Sequence, residues 1–213
     1  MLGLLAAAMS FTAAAVQAQG AESAGGKRTV AGQVLTSTAM PEIRLTFDRK
    51  FKYAGTQHFL LYGVADAEQY FFVDAATSGA VRRLYWVQFE AYVPGNTFTY
   101  DYKISQHVDI AGFDFLTDAR MNNWDGPPAR PDSDSARAKT FLESRGYHLS
   151  GDVRDQRLVH LIGNDRRNEL LIIYEEFAGP RESGRELTKL LKRARESLTV
   201  MPSGDSLTGR RPE

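Results

Sequence analysis

The chain has 213 residues, no cysteine, and 26 Lys and Arg side chains against 26 Asp and Glu. Without a thiol there is no disulfide, no thiolate metal site, no cysteine nucleophile and no cysteine to carry a lipid, so stability has to come from core packing. The neutral balance also argues against a dedicated nucleic-acid binder or a protein that adheres to anionic membranes, both of which need a basic surface.

Met1 to Ala18 holds no charged side chain and is mostly Ala, Leu and other small residues. It is short for a membrane span, which takes about 20 apolar residues, and has no amphipathic period to orient a buried helix. Small residues near Ala18 suit a signal peptidase. We therefore read residues 1–18 as a signal peptide, atypical in lacking a basic start, with Gln19 as the mature N-terminus. The expected address is the bacterial periplasm or the outside, with no stable membrane insertion after cleavage. Residues 19–28 read as a flexible lead-in, residues 29–200 as a single α+β domain, and residues 201–213 as a disordered tail.

Ile43, Leu45 and Phe47 alternate with polar residues, which predicts a strand. Fourteen of the 23 aromatic residues then fall between Phe51 and Tyr102. Aromatic and β-branched side chains suit the half-buried surface of a sheet, and turn residues separate the runs at 65–68, 77–79 and 94–96. The expectation is a four-strand antiparallel meander near 56–64, 69–74, 81–93 and 97–110. Residues 113–131 read as irregular because Asn122-Asn-Trp-Asp-Gly-Pro-Pro128 forbids regular structure over its middle; Trp124 suggests a loop that packs down on something.

A helix is predicted over 134–145, capped by Asp132 or Ser133, with Phe141 and Leu142 inward and Gly146 as its stop. Residues 157–162 and 169–174 form a second hairpin; its second strand, apolar on both faces, belongs in the middle of a covered sheet. At the C-terminus Ser183 and Glu186 have capping-box spacing. Leu187, Leu190, Leu191, Ala194 and Leu198 form one helical stripe, expected to dock on the sheet. The fold class is α+β: a sandwich-like antiparallel sheet, meander plus second hairpin, packed by two helices.

Motifs that identify a reaction are missing. His58, His107, His148 and His160 include no pair with zinc-helix spacing, and His160 inside an apolar strand reads as a satisfied core histidine. Asp132, Asp134 and Glu143 mimic a calcium loop, but Ala136 and Arg137 stand where a ligand and a glycine are needed; acids at a helix N-terminus explain Asp132 and Asp134. Phosphate-loop, dinucleotide and serine-elbow signatures are absent. No metal and no cofactor is expected.

The remaining polar pattern lies at 97–110, where Phe98, Tyr100, Tyr102, Ile104, Val108 and Ile110 alternate with Thr97, Thr99, Asp101, Lys103, Ser105, His107 and Asp109. A two-residue turn at Gly95-Asn96 would set Tyr102 opposite Phe89 and Glu90 opposite Asp101. One face would then gather Trp86, Gln88, Glu90, Tyr92, Asp101, Lys103, Ser105, His107 and Asp109. An ordinary solvent-facing surface is the commoner arrangement for such a face. The alternative is a polar cleft roofed by Trp124, with Glu90, Asp101 and His107 as acid-base candidates and Trp86, Gln88, Tyr92, Lys103 and Trp124 as ligand-binding candidates.

The function expected from the sequence is an exported binding module for an apolar or amphipathic small molecule or an envelope protein partner, without catalysis. A hydrolase with a non-standard acid-base site on the polar face, or a purely structural partner protein, are the alternatives.

Overall fold

The computed structural model describes residues 26–128, 130–177 and 187–204. The expected signal peptide, most of the lead-in, the Ser183/Glu186 capping box and the end of the expected tail lie outside the described residues. Within them the chain is mostly antiparallel β-structure, with eleven strands in two sheets and two helices.

The larger sheet is built from β4 (Lys52–Leu61), β5 (Ala65–Ala75), β6 (Val81–Tyr92), β7 (His107–Ile110), β8 (Phe113–Asn123), β9 (Asp152–Ile162) and β10 (Asn168–Phe177). Their order across it is β4-β5-β6-β10-β9-β8-β7. β10 is thus the central strand, with Ile172 opposite Val87 on one side and Leu158 on the other. That position explains its composition: a strand covered on both faces reads as a continuous apolar run.

The smaller sheet contains β1 (Arg28–Ala31), β2 (Val34–Thr38), β3 (Glu42–Phe47) and β11 (Leu198–Pro202) in the order β1-β2-β3-β11. Its apolar residues Leu35, Ile43, Leu45 and Phe47 join Tyr70, Phe72, Tyr85, Val87 and Ile172 of the larger sheet in one buried cluster. Leu190 and Ala194 of the C-terminal helix α2 (Leu190–Ser197) belong to it as well. On the opposite face of the larger sheet, Phe71, Leu84, Trp86, Leu171 and Ile173 form a second cluster with Ala138 and Leu142 of helix α1 (Asp134–Ser144) and with Trp124.

Helix α1 starts and stops as its sequence requires. Ser133 accepts the Ala136 amide at 3.2 Å as the cap, and Gly146, at φ +81°, takes the left-handed conformation that ends it. Its Phe141 stacks on Phe71 at 5.3 Å, over a bulge in β4 where Gly55 leaves room: a Cβ there would stand 2.9 Å from the Phe141 ring.

Several expectations need correction. The first three meander strands are present as β4, β5 and β6, although β5 begins at Ala65 and the turn falls at Tyr62 and Gly63. The fourth is not: residues 96–106 form no strand, and only His107–Ile110 does, pairing with β8 rather than β6. Residues 113–123, expected to be irregular, form the long strand β8. β1 and β2 were not anticipated, because short strands rich in Thr and Ser with single apolar residues give little periodic signal. The C-terminal helix ends at Ser197, and Leu198 opens β11, so Met201 and Pro202 belong to a sheet rather than to a tail.

Candidate functional site

The most unusual chemistry in the molecule is a line of polar side chains on the face of the larger sheet that α1 covers. β6 directs Trp86, Gln88 and Glu90 to that face at alternate positions. Because β6 lies between β5 and β10, Gln88 has Gln69 beside it and Glu90 has Glu169 beside it. Gln57 Nε2 donates to Gln69 Oε1 at 2.6 Å, Gln69 Nε2 to Gln88 Oε1 at 2.7 Å, and Gln88 Nε2 to Glu90 Oε2 at 2.6 Å. The Trp86 indole also donates to Gln88 Oε1, at 3.2 Å. Each amide passes a hydrogen bond to the next, and the chain ends on a carboxyl.

Two tyrosines close the cluster. Tyr100 donates its hydroxyl to Glu90 Oε1 and Tyr102 donates to Glu169 Oε1, both at 2.9 Å. They stand on an extended strap, residues 93–106, which makes no strand. Arg167 clasps its beginning, with Nη1 donating to the carbonyls of Asn96 (2.8 Å) and Phe98 (2.9 Å) and Nη2 to that of Val93 (3.1 Å). The Tyr92 ring stacks on Tyr100 at 4.4 Å. Gly95-Asn96 does not start a hairpin onto β6 because both edges of β6 are already paired, with β5 on one side and β10 on the other.

Burial sets the electrostatics. Glu90 and Glu169 are 9% and 2% exposed. Burial, reinforced by the neighbouring Glu90 charge, pushes the Glu169 carboxyl from 4.5 up to about 8, against the pull of the Tyr102 hydroxyl. Burial likewise raises Glu90, opposed by hydrogen bonds from Tyr100 and Gln88 and aided by Asp134. Asp134, at the start of α1, is also raised by burial. Glu169 Oε2 is buried without a hydrogen-bond partner, the arrangement expected of a carboxyl that keeps its proton. Under the closed strap neither carboxyl is open to a substrate arriving from solvent.

A third buried carboxyl lies further along the same face. Trp124 Nε1 donates to Glu175 Oε2 at 3.1 Å, and burial together with the adjacent Asp155 pushes Glu175 up to about 8. Asp155 is itself bonded by Arg120 across β8, at 2.9 Å. Trp124 therefore packs down, as expected of its loop, but on Glu175 and α1 rather than as a roof over Glu90: Lys139 Nζ holds its carbonyl at 2.6 Å.

The sequence candidates thus separate. Trp86, Gln88, Glu90 and Tyr92 do share a face, but it is covered rather than wet. Asp101 does not neighbour Glu90; it pairs with Lys103 at 2.5 Å in solvent. His107 is exposed beside Asp114 at 3.1 Å, and His160, half-buried on the interior strand β9, donates from Nδ1 to the Asp114 backbone carbonyl at 2.8 Å and meets the Phe113 ring edge-on at 5.5 Å. The carboxyl beside Glu90 is Glu169, which sequence reading missed because nothing in the hairpin 157–174 announces that it inserts next to β6. Tyr100 and Tyr102 were expected on an apolar face, and their hydroxyl partners escaped notice for the same reason. Among the described residues no three His, Asp or Glu side chains converge as metal ligands.

Beyond the strap lies an open cleft of about 430 Å³. Lys103 and Ile104 of the strap, Thr117 of β8, Gln156 of β9, and Leu187 and Leu191 line it. Gln156 Nε2 donates to Thr117 Oγ1 at 2.7 Å and to the Asp118 carbonyl at 2.9 Å, fixing a polar floor. Leu187 and Leu191 are only partly buried, although Leu190 is fully so; the helical stripe thus divides between core and cleft. Comparison with known proteins adds no relative: no family model, no curated protein and no solved structure matches the chain.

Proposed function

We propose that the protein is an exported binding module whose cleft between the strap and α2 takes a small amphipathic molecule. The observation that carries this reading is the mixed lining: two half-buried leucines and Ile104 offer a place for a short alkyl chain, while the exposed Lys103 ammonium offers charge and donors to a polar head at the rim. Ligand sites of this kind combine an apolar wall with a few placed polar groups.

Octanoate and octyl glucoside provide the test, titrated by NMR. Saturable shifts of the Ile104, Leu187 and Leu191 methyls are expected, abolished in Leu191→Arg, with Lys103→Glu weakening octanoate more than the glucoside. If neither amphiphile saturates these signals, the reading fails. Export is tested separately by N-terminal sequencing of the natively expressed protein, where Gln19 is the expected first residue and an intact Met1 on most molecules would overturn it.

A further inference from the structure

A different cleft lies at the end of the larger sheet where β4 begins, β5 ends and β6 begins. It has a volume of about 570 Å³ and is lined by Lys50, Lys52, Arg82 and Arg83, with Asp74 as the one acidic group in its wall. Overall the chain is neutral, so four cations against one carboxylate is a local concentration of charge.

A bulge creates it. Asp74 pairs with Arg83 and Ala75 with Val81, leaving Arg82 as the extra residue. In a regular strand Arg82 and Arg83 would point to opposite faces; a bulge re-aims a side chain, and here both guanidiniums converge on Asp74. Arg82 Nη2 donates to Asp74 Oδ1 at 2.5 Å, and Arg83 Nη2 and Nε donate to Asp74 Oδ2 at 2.6 and 3.0 Å. Arg82 is further tied to the Ala75 carbonyl at 2.8 Å, and Arg83 lies 5.0 Å above the Phe51 ring. The carboxylate is nearly buried and both its oxygens are taken, so it acts as a buttress. Arg82, with a side chain 58% exposed, keeps its Nε and Nη1 donors without an acceptor among the described residues. Lys50 and Lys52 flank the buried Phe51, and neither ammonium has a carboxylate partner among those residues; the Asp48 carboxylate accepts the Lys50 backbone amide instead.

We propose that this cleft binds a small organic phosphate monoester, the phosphate resting on Lys50, Lys52 and Arg82 and the organic part on the wall formed by Ala75, Ala76 and Tyr147. A phosphate dianion suits the surplus of positive charge better than a single carboxylate, and the Arg82 guanidinium, held in place through its Nη2, keeps a further N–H to donate to a phosphate oxygen. The cleft is larger than a bare phosphate needs, which is why an organic substituent belongs to the proposal.

The test is titration of the full chain with phenyl phosphate and with inorganic phosphate at constant ionic strength, read by backbone amide NMR. Saturable shifts confined to residues 50–52, 74–76, 82–83 and 147 are expected, with phenyl phosphate the tighter ligand. The exposed pair Lys50→Ala/Lys52→Ala and the single Arg82→Ala should each weaken phenyl phosphate at least tenfold, and Lys192→Ala on α2 should leave it unchanged. Equal affinities for the two phosphates would overturn the organic part and leave an inorganic phosphate site. Shifts spread over all basic surfaces, a response reproduced by chloride, or full affinity in the double variant would overturn the site altogether.

Discussion

Glu169→Gln should unfold at higher denaturant concentration than the parent protein at pH 8.5, and at nearly the same concentration at pH 5. The carboxyl it removes is raised in the folded state to about 8 from an ordinary 4.5. Below 4.5 both folded and unfolded chains hold the proton, and its contribution to stability is fully present. Between the two values only the folded chain holds it, so stability falls by about 1.4 kcal/mol per pH unit for each such group, and the loss is complete once the pH passes the folded value. Glu175, raised to about 8 by burial and Asp155, repeats the effect independently. Together they make the parent protein several kcal/mol less stable at pH 8.5 than at pH 5, by this linkage. The groups facing Glu169 are Glu90, Asp134, Arg157 and Tyr102; the glutamine keeps an acceptor for the tyrosine and removes the charge. Urea unfolding at the two pH values, for Glu169→Gln and for Glu169→Gln/Glu175→Gln, checks the result. A parent protein equally stable at both pH values would show that these carboxyls are ionised in the fold.

Tyr85→Ala should cost about 3–5 kcal/mol, as for other large aromatic side chains truncated in a core. Tyr85 is fully buried, with ring centroids 4.8 Å from Phe51, 4.9 Å from Tyr174 and 5.1 Å from Phe47. Its hydroxyl donates to the Ala194 carbonyl at 2.6 Å and lies 2.8 Å from Ser197 Oγ. A helix leaves its last four carbonyls without intrahelical partners, and this one is satisfied by a side chain from the sheet beneath. Tyr85→Phe isolates that bond: it keeps the packing, leaves the carbonyl only the longer bond from Ser197 Oγ at 3.3 Å, and should cost about 1 kcal/mol. Denaturant midpoints near pH 6 measure both. Equal losses for the two variants would place the whole effect in the hydroxyl; no loss for Tyr85→Phe would show that Ser197 Oγ alone satisfies the carbonyl.

The sequence was most informative where a pattern is local. Ser133 and Gly146 bracket α1, and the turn after Ile162 joins two strands whose pairing follows from adjacency. The larger sheet, by contrast, is ordered by long-range choices. β6 is apolar on one face and mixed on the other, and such a strand accepts β10 or a hairpin partner without a local signal to distinguish them. The alternation at 97–110 was real, but its cause was different: Tyr100 and Tyr102 turn inward to reach Glu90 and Glu169, while Asp101 and Lys103 turn outward, without any ladder of backbone hydrogen bonds. Period-two spacing reports an extended chain; it does not say what the chain lies against. The fate of Glu90, and with it most of the candidate site, depended on that missing neighbour.

The smaller sheet carries a consequence for synthesis. Its outer strand β11 pairs with β3, Leu198 opposite Phe47 and Val200 opposite Leu45, so its two edges come from opposite ends of the described chain. A nascent polypeptide holds β1, β2 and β3 early, yet β3 keeps a bare edge until Pro202 has left the ribosome. Pairings so distant in sequence form late, and an uncovered strand edge in the meantime can recruit another chain. From the completion of β3 until β11 is made, the growing chain therefore carries a vacancy that, among the described strands, only β11 fills.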